Sequence, residues 1–179
     1  MRKYLILFVF IMTVTVSLAQ EERVKGKIIK DFGTTFPVEN PEIKTNTSTN
    51  FKVIFDVAQT ATEKNIINKN IVTAARFLNM HANEGMKLDQ LKVAITIHGA
   101  AWKDVLNNDV YKKKFGVDNP NSKLIKDLTN AGVAIIICGQ TAKFRGIDRS
   151  VVIPEVKFAL SAMTALLQYQ ADGYTFIKF

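Results

Sequence analysis

The sequence predicts an α/β fold with three layers (α/β/α), in which helices cover both faces of a five-stranded, mainly parallel sheet. Short apolar segments typical of strands alternate with segments whose apolar residues recur every three or four positions. These helical connections are long enough for the crossovers that parallel strands require. One strand candidate, Val133–Ile137, has no polar residue, as expected of a strand that is covered on both faces.

The elements follow from apolar runs and from residues that begin or end helices. Ser122 and Ser161 are expected to cap helices at their N-termini, and Gly132 and Gly173 are expected to end them. The fully apolar third strand is placed in the middle of the sheet, and the more polar last strand at an edge. The predicted strands cover residues 51–57, 91–97, 133–138, 156–160 and 174–179, and the predicted helices cover residues 62–82, 102–106, 109–115, 122–131 and 161–171.

The first 50 residues are predicted to lie outside this domain. Residues 1–19 combine a basic start, a short apolar stretch and the small residues Ser17 and Ala19 before a cleavage point, which is typical of a secretory signal peptide. An uncleaved membrane anchor is the alternative interpretation. We therefore expect an exported protein, periplasmic or secreted, without stable membrane insertion after cleavage. Residues 20–50 are predicted to be an N-terminal extension and polar linker, with a short extended piece or hairpin within residues 24–37, and residues 51–179 form the α/β domain.

Composition narrows the range of functions. The chain has 179 residues, 47% of them hydrophobic, which excludes a disordered chain or a disulfide scaffold. A single cysteine permits no intramolecular disulfide, two histidines do not favour a metal centre, and we expect neither a metal nor another cofactor. The formal charge is +8, and signal cleavage would remove Arg2 and Lys3 and lower it to +6. A solvated basic surface is preferred to a nucleic-acid-binding one, because no basic run is interleaved with aromatic residues.

Candidate site residues follow the predicted strands at their carboxyl ends, where open parallel sheets bind ligands. His98 and Gly99 follow the second strand, and Cys138 and Gly139 end the third. If consecutive strands are neighbours, these residues share one crevice. The two glycines would let the chain turn tightly, but neither belongs to a GxGxxG or Walker pattern that would cradle a phosphate.

Cys138 is the main candidate for chemistry. It precedes a segment that can form a helical turn, residues 141–145, so its thiol would face unpaired N–H groups. These groups, together with the charges of Lys143 and Arg145, would favour the nucleophilic thiolate. The alternative is a small apolar side chain packed at the end of a buried strand. His98 could serve the thiolate as a base or proton donor, or its ring could only hydrogen-bond the backbone.

The remaining polar residues show no catalytic pattern. Asp56, Asp104 and Asp148 stand singly and are interpreted as structural or solvated carboxylates, and Trp102 is expected to pack against the sheet or a neighbouring subunit. The sequence has no GxSxG, HExxH or EF-hand motif.

The segment at residues 137–147 (ICGQTAKFRGI) resembles the cysteine loop of the DsrE/DsrF/TusD sulfur-relay family, in which a cysteine follows a buried strand and Arg-Gly follows several residues later. Segments 93–100, 124–133 and 161–179 agree with that family in order, so the likeness covers the core from residue 51 onward. The resemblance implies an α/β/α fold, a homo-oligomer (commonly a trimer or hexamer), and a cysteine, here Cys138, that holds sulfane sulfur as a persulfide. Candidate residues for binding around Cys138 and His98 are Gly99, Gly139, Gln140, Thr141, Lys143 and Arg145.

Two functions of different classes remain open from the sequence. The first is a sulfur carrier or sulfurtransferase whose partners are donor and acceptor proteins or small thiols, and not nucleic acid. The second is a non-catalytic oligomeric module that binds a small ligand or a protein. A flavodoxin-like redox protein is less well supported, because no phosphate-binding loop is visible between Ala58 and Asn65. In an oxidising compartment a lone thiol could instead form mixed disulfides.

Overall fold

The structure, a computed structural model, describes residues 22–178 and contains one five-stranded sheet with the strand order β4-β3-β2-β1-β5. Its strands are β1 (Phe51–Val57), β2 (Leu91–Ile97), β3 (Ala134–Cys138), β4 (Lys157–Ala159) and β5 (Thr175–Ile177). Its helices are α1 (Lys69–Asn83), α2 (Asn108–Phe115), α3 (Ser122–Asn130), α4 (Gly139–Arg145) and α5 (Ala162–Ala171), with 3₁₀ helices at Leu88–Gln90, Gly99–Val105 and Arg149–Val151. Neighbouring strands are all parallel, which confirms the predicted α/β/α fold. The predicted signal peptide lies outside the described residues.

The strand order brings the first four strands together in the order in which they occur along the chain. Strands β1 to β4 are neighbours, as expected for consecutive strands, and β5 lies at the edge beside β1, as predicted. The apolar strand β3 is an inner strand, but the centre of the sheet is β2. The carboxyl ends of β2 and β3 therefore lie next to each other, which places the candidate residues at one edge.

The two faces of the sheet bury different amounts of apolar surface. On one face a large apolar cluster joins β1, β2 and β3 to α1, α3 and the 3₁₀ helix at Gly99–Val105. On the other face the buried cluster is small: Ile54, Ala94 and Ile136 pack against Ala165 of α5. The even-numbered residues of β1, β2 and β3 point to this face, which we call the α5 face.

Two helix starts differ from their predictions, and in each an asparagine occupies the N-cap position, although only Asn68 makes a side-chain capping hydrogen bond. Helix α1 begins at Lys69, and the predicted start at Thr62 was wrong, because the Asn68 side chain accepts the Asn70 N–H at 2.9 Å and ends the preceding loop. Helix α3 begins at Ser122 itself, and Asn121 is the residue at the N-cap position. Ser161 caps α5 as predicted, because its Oγ accepts the Thr164 N–H at 3.0 Å.

The N-terminal extension docks on the domain through a short segment, residues 22–36, which we call the strap. Val24 and Thr35 form one antiparallel bridge, which is the short hairpin that the sequence allowed. Asn79 of α1 is fully buried beneath the strap and bonds to its backbone, and Ile29 is buried beside it. Residues 37–50 contain neither helix nor strand. Among residues 22–178, no helix is both long and apolar enough to cross a bilayer.

Candidate functional site

Cys138 and His98 occupy adjacent positions at the carboxyl edge of the sheet. Ile97 of β2 pairs in register with Ile137 of β3, so the residues that follow lie on neighbouring strands about 5 Å apart at the backbone. The backbone of His98 is still extended, with φ −152° and ψ −168°. Both residues continue the even-numbered alternation, which places them on the α5 face.

The sulfur of Cys138 lies where two helices begin. Its Sγ accepts the N–H of Thr141 at 3.5 Å, which makes Cys138 the N-cap of α4. The backbone N–H groups of Gln140 and of Ala162, the first residue of α5, also hydrogen-bond the sulfur. The side chain is only 6% exposed, yet it belongs to neither apolar cluster. The polar contacts of the sulfur are thus backbone amides and the side chain of Thr141.

Hydrogen bonds from these amides lower the pKa of the Cys138 thiol. Burial raises the pKa of Cys138, but hydrogen bonds from the backbone and side chain of Thr141 and from the backbone of Ala162 and Gln140 outweigh it. The result is a pKa below the ordinary value for a cysteine. The thiolate is the form that attacks sulfur, so the site favours the reactive species.

The two cations proposed from the sequence are not among the groups that hydrogen-bond the sulfur. The Arg145 guanidinium lies 5.8 Å from the ring centroid of Trp102 and 5.2 Å from that of Phe144. Lys143 is exposed. The groups that lower the pKa of the Cys138 thiol are therefore amides and a hydroxyl, and Arg145 instead helps to position Trp102.

Glycine at position 139 lets α4 and the β4–α5 turn approach closely around the sulfur. A Cβ atom on Gly139 would lie 2.5 Å from the carbonyl oxygen of Ala159. The neighbouring Gln140 donates its Nε2–H to the Leu160 carbonyl at 3.3 Å. The absence of a side chain at Gly139 leaves room for the turn, and the Gln140 hydrogen bond helps to hold it where the Ala162 N–H reaches Cys138.

His98 is bound to a carboxylate rather than to the cysteine. Its Nε2 lies 2.9 Å from Oδ1 of Asp56, and Thr96 donates its hydroxyl to the same oxygen at 3.0 Å. Because Asp56 lies on β1 and Cys138 on β3, the ring leans away from the sulfur. Within residues 22–178, no hydrogen bond joins His98 to Cys138, and Nδ1 of the ring has no hydrogen-bond partner.

The turn that carries His98 is anchored on the end of β1. Ala100 and Ala101 donate their N–H groups to the Ala58 carbonyl at 2.8 and 3.2 Å. Gly99 has φ +54°, and a Cβ atom there would lie 3.0 Å from the same carbonyl oxygen. A glycine is therefore needed for the turn that fixes the start of the His98 side chain.

Sequence reasoning missed the role of Asp56 as the partner of His98. The signal available was a carboxylate near the end of a largely apolar strand (FKVIFDV), where a buried charge needs a partner. Asp104, by contrast, is structural: it accepts the Thr60 hydroxyl and the Asn68 amide, each at 2.7 Å. It ties the loop after β1 to the 3₁₀ helix after β2. In the described part of the chain, no three His, Cys, Asp or Glu residues are grouped so that they could hold a metal ion.

The chain is thus a three-layer α/β protein with a parallel sheet. A hydrogen-bonded cysteine lies at the carboxyl edge of that sheet. The model of the DsrE/DsrF-like family matches residues 52–179, and the chain belongs to that family. A similar solved structure is the protein of unknown function MTH1491 from Methanobacterium thermoautotrophicum, with a TM-score of 0.54 and 15% sequence identity over 73% of this chain and 100% of that chain. At that identity the likeness concerns the fold alone. No curated protein matches the chain.

Proposed function

We propose that the protein carries sulfane sulfur as a persulfide on Cys138 and passes it to an acceptor thiol. The observation that carries this proposal is the position of Sγ, which accepts N–H groups at the starts of α4 and α5. Membership of the DsrE/DsrF-like family supports it. The donor and acceptor would be proteins or small molecules that carry a thiol.

The chemistry requires only an exchange of sulfur–sulfur bonds. The Cys138 thiolate attacks the outer sulfur of a donor persulfide, R–S–SH, so that a new S–S bond forms, the donor S–S bond breaks, and R–S⁻ leaves with the electron pair and then takes up a proton. An acceptor thiolate then attacks the outer sulfur of the Cys138 persulfide and releases the Cys138 thiolate. No external oxidant or reductant is consumed. A thiol with a lowered pKa is suited to both steps, because it is ionised for attack and is a good leaving group.

The competing function is a non-catalytic binding module in which Cys138 is inert. Its 6% exposure is the observation that favours this alternative. The two functions differ in whether the sulfur of the native protein can be reached from solvent.

Sulfur loading distinguishes them. The protein is incubated with glutathione persulfide and its mass is measured before and after reduction. We expect the mass of one sulfur atom to be added and then removed by the reductant, with no addition to the variant Cys138→Ser. No addition to the wild type, with rapid alkylation of Cys138 only after unfolding, would refute the sulfur-carrier function and support the binding module.

We further propose that the protein is exported and assembles with copies of itself through the outer side of α5. Three apolar residues lie on or just before this helix at helical spacing, Leu160, Met163 and Leu167, and they are 72%, 71% and 68% exposed. Helix α5 thus has apolar residues towards the sheet and towards solvent, whereas a helix at the surface of a monomer is polar on its outer side. A second copy would cover this stripe. Export is supported by the pattern of residues 1–19.

A further inference from the structure

We infer that Asp56 is a positioning residue that fixes His98 so that the Nδ1 atom of the ring exchanges a proton with the thiols that enter and leave the site. This inference rests on the sulfur-carrier function proposed above. It concerns a carboxylate that lies on a different strand from both His98 and Cys138.

The hydrogen bond between the two side chains determines which nitrogen is free. An ionised carboxylate only accepts hydrogen bonds, so at 2.9 Å from Oδ1 the Nε2 atom of His98 carries a hydrogen. Nδ1 is then the position at which the ring gains or loses a proton. Asp56 is itself held in place, because Thr96 donates to the same oxygen and the carboxylate is 8% exposed.

The exposure of the two side chains fits a carboxylate that orients the ring and a ring that exchanges a proton with entering thiols. The His98 side chain is 30% exposed and the Asp56 side chain 8%, so the ring is the partner that a small thiol can reach from solvent. The backbone register places Cys138 on the neighbouring strand, on the same face. During transfer, the outer sulfur is shared between Cys138 and the donor or acceptor thiol. That thiol would therefore come within reach of the ring, although His98 and Cys138 do not bond to each other directly.

The α5 face carries other charged and titratable groups besides Asp56, His98 and Cys138. Lys52 and Lys92 lie at the opposite, amino ends of β1 and β2, and the Nζ of Lys52 bonds to the Asp172 carbonyl at 3.0 Å. The groups that this face presents from the strands, from α5 and from the residues after it are Lys52, Asp56, Lys92, His98, Cys138, Lys157, Tyr169, Asp172, Tyr174 and Lys178. The register of β1 with β5 places the backbone of Lys178, which directly follows β5, beside that of Asp56. Asp56 is the carboxylate that contacts His98.

The proton balance closes over one cycle. When the Cys138 thiolate takes the outer sulfur from R–S–SH, the imidazolium gives its Nδ1 proton to the departing R–S⁻, which leaves as R–SH. When an acceptor thiol R′–SH arrives, the neutral ring takes its proton at Nδ1, and R′–S⁻ attacks the outer sulfur. The ring and Cys138 are thereby returned to their starting states.

The test compares four variants in sulfur loading from glutathione persulfide as a function of pH. We expect His98→Gln to lower the loading rate by about 100-fold and Asp56→Asn by at least about tenfold, each altering the pH profile, because a general acid contributes on the order of 10² to 10⁴ in rate. The double variant should be no slower than His98→Gln alone, because Asp56 acts through the ring. Thr96→Val removes the other donor to the same carboxylate oxygen but leaves the Asp56–His98 hydrogen bond available, so it should lower the loading rate by less than Asp56→Asn does.

Alkylation by iodoacetamide separates a proton-transfer role from a structural one. Iodide leaves without a proton, so His98→Gln and Asp56→Asn should alkylate at Cys138 as fast as the wild type. Loading of Asp56→Asn at the wild-type rate with an unchanged profile would overturn this inference alone, as would equal losses in loading and alkylation. Absence of loading in the wild type would instead overturn the sulfur-carrier function itself, and this inference with it.

Discussion

Asn79 of α1 holds the strap, and its removal is predicted to release this segment from the domain. Oδ1 accepts the N–H groups of Ile28 and Ile29 at 3.2 and 2.9 Å. The two hydrogens of Nδ2 serve the carbonyls of Ile29, Phe32 and Gly33 at 2.9 to 3.1 Å. Oδ1 accepts two hydrogen bonds and Nδ2 donates two. At roughly 1 kcal/mol each, their loss should lower the free energy of unfolding of Asn79→Ala by about 4 kcal/mol.

The assay combines urea unfolding with limited trypsin digestion of the full chain. Asn79→Ala should lower the free energy of unfolding by about 4 kcal/mol. It should also accelerate cleavage after Lys25, Lys27 and Lys30, because the strap backbone, no longer bonded to Asn79, detaches from the domain and is hydrated. Asn83, one turn later on α1, is the matched control: it donates one long bond of 3.4 Å to Thr35, and its Oδ1 has no partner. Asn83→Ala should therefore cost less than about 1 kcal/mol. If Asn79→Ala costs no more than Asn83→Ala and the strap is cleaved no faster, the account of its docking is wrong.

Three further predictions concern the buried carboxylate of Asp104, the β4–α5 turn beside Gly139 and the outer side of α5. Burial raises the pKa of Asp104, so ionising this carboxyl lowers the free energy of unfolding as pH rises from the ordinary pKa through the raised one. The free energy of unfolding of Asp104→Asn should therefore increase relative to that of the wild type over this pH range. A difference between the two proteins that does not change with pH would refute this. Gly139→Ala should push the β4–α5 turn away from the sulfur, and alkylation of Cys138 as a function of pH should give a higher thiol pKa than in the wild type; an unchanged profile would contradict the role of the turn. Leu167→Glu should give a smaller species in sedimentation velocity, whereas its neighbour Gln168→Glu should not, and identical profiles would argue against assembly through α5.

The fold could be predicted from the sequence where the signal is local. Strands β1 and β2 have the predicted bounds, because their apolar runs end at polar or turn-forming residues. Helix α5 and its Ser161 cap are also as predicted. The start of α1 was predicted too early, because periodicity continues through residues that the loop uses, and the Asn68 cap depends on Asn121, 53 positions away.

The candidate site could be predicted only as far as the ends of the strands. The rule for parallel sheets placed His98 and Cys138 at one edge, but which side chains meet there depends on register and on the lean of each ring. Asp56 reaches His98 across 42 positions of sequence, and Ala162 reaches Cys138 across 24, so neither contact leaves a local signal. The part that Cys138, His98 and the loop residues play in chemistry stays a prediction.

The most direct measurement is the rate at which iodoacetamide alkylates Cys138 in the native protein as a function of pH, with the mass of the intact chain as the readout. Cys138 is the only cysteine, so each added group reports this one sulfur. We predict that the native protein is alkylated, with an apparent pKa below the ordinary value for a cysteine and below that of the same chain in denaturant. Alkylation only after unfolding, or an apparent pKa as high as in the unfolded chain, would contradict it.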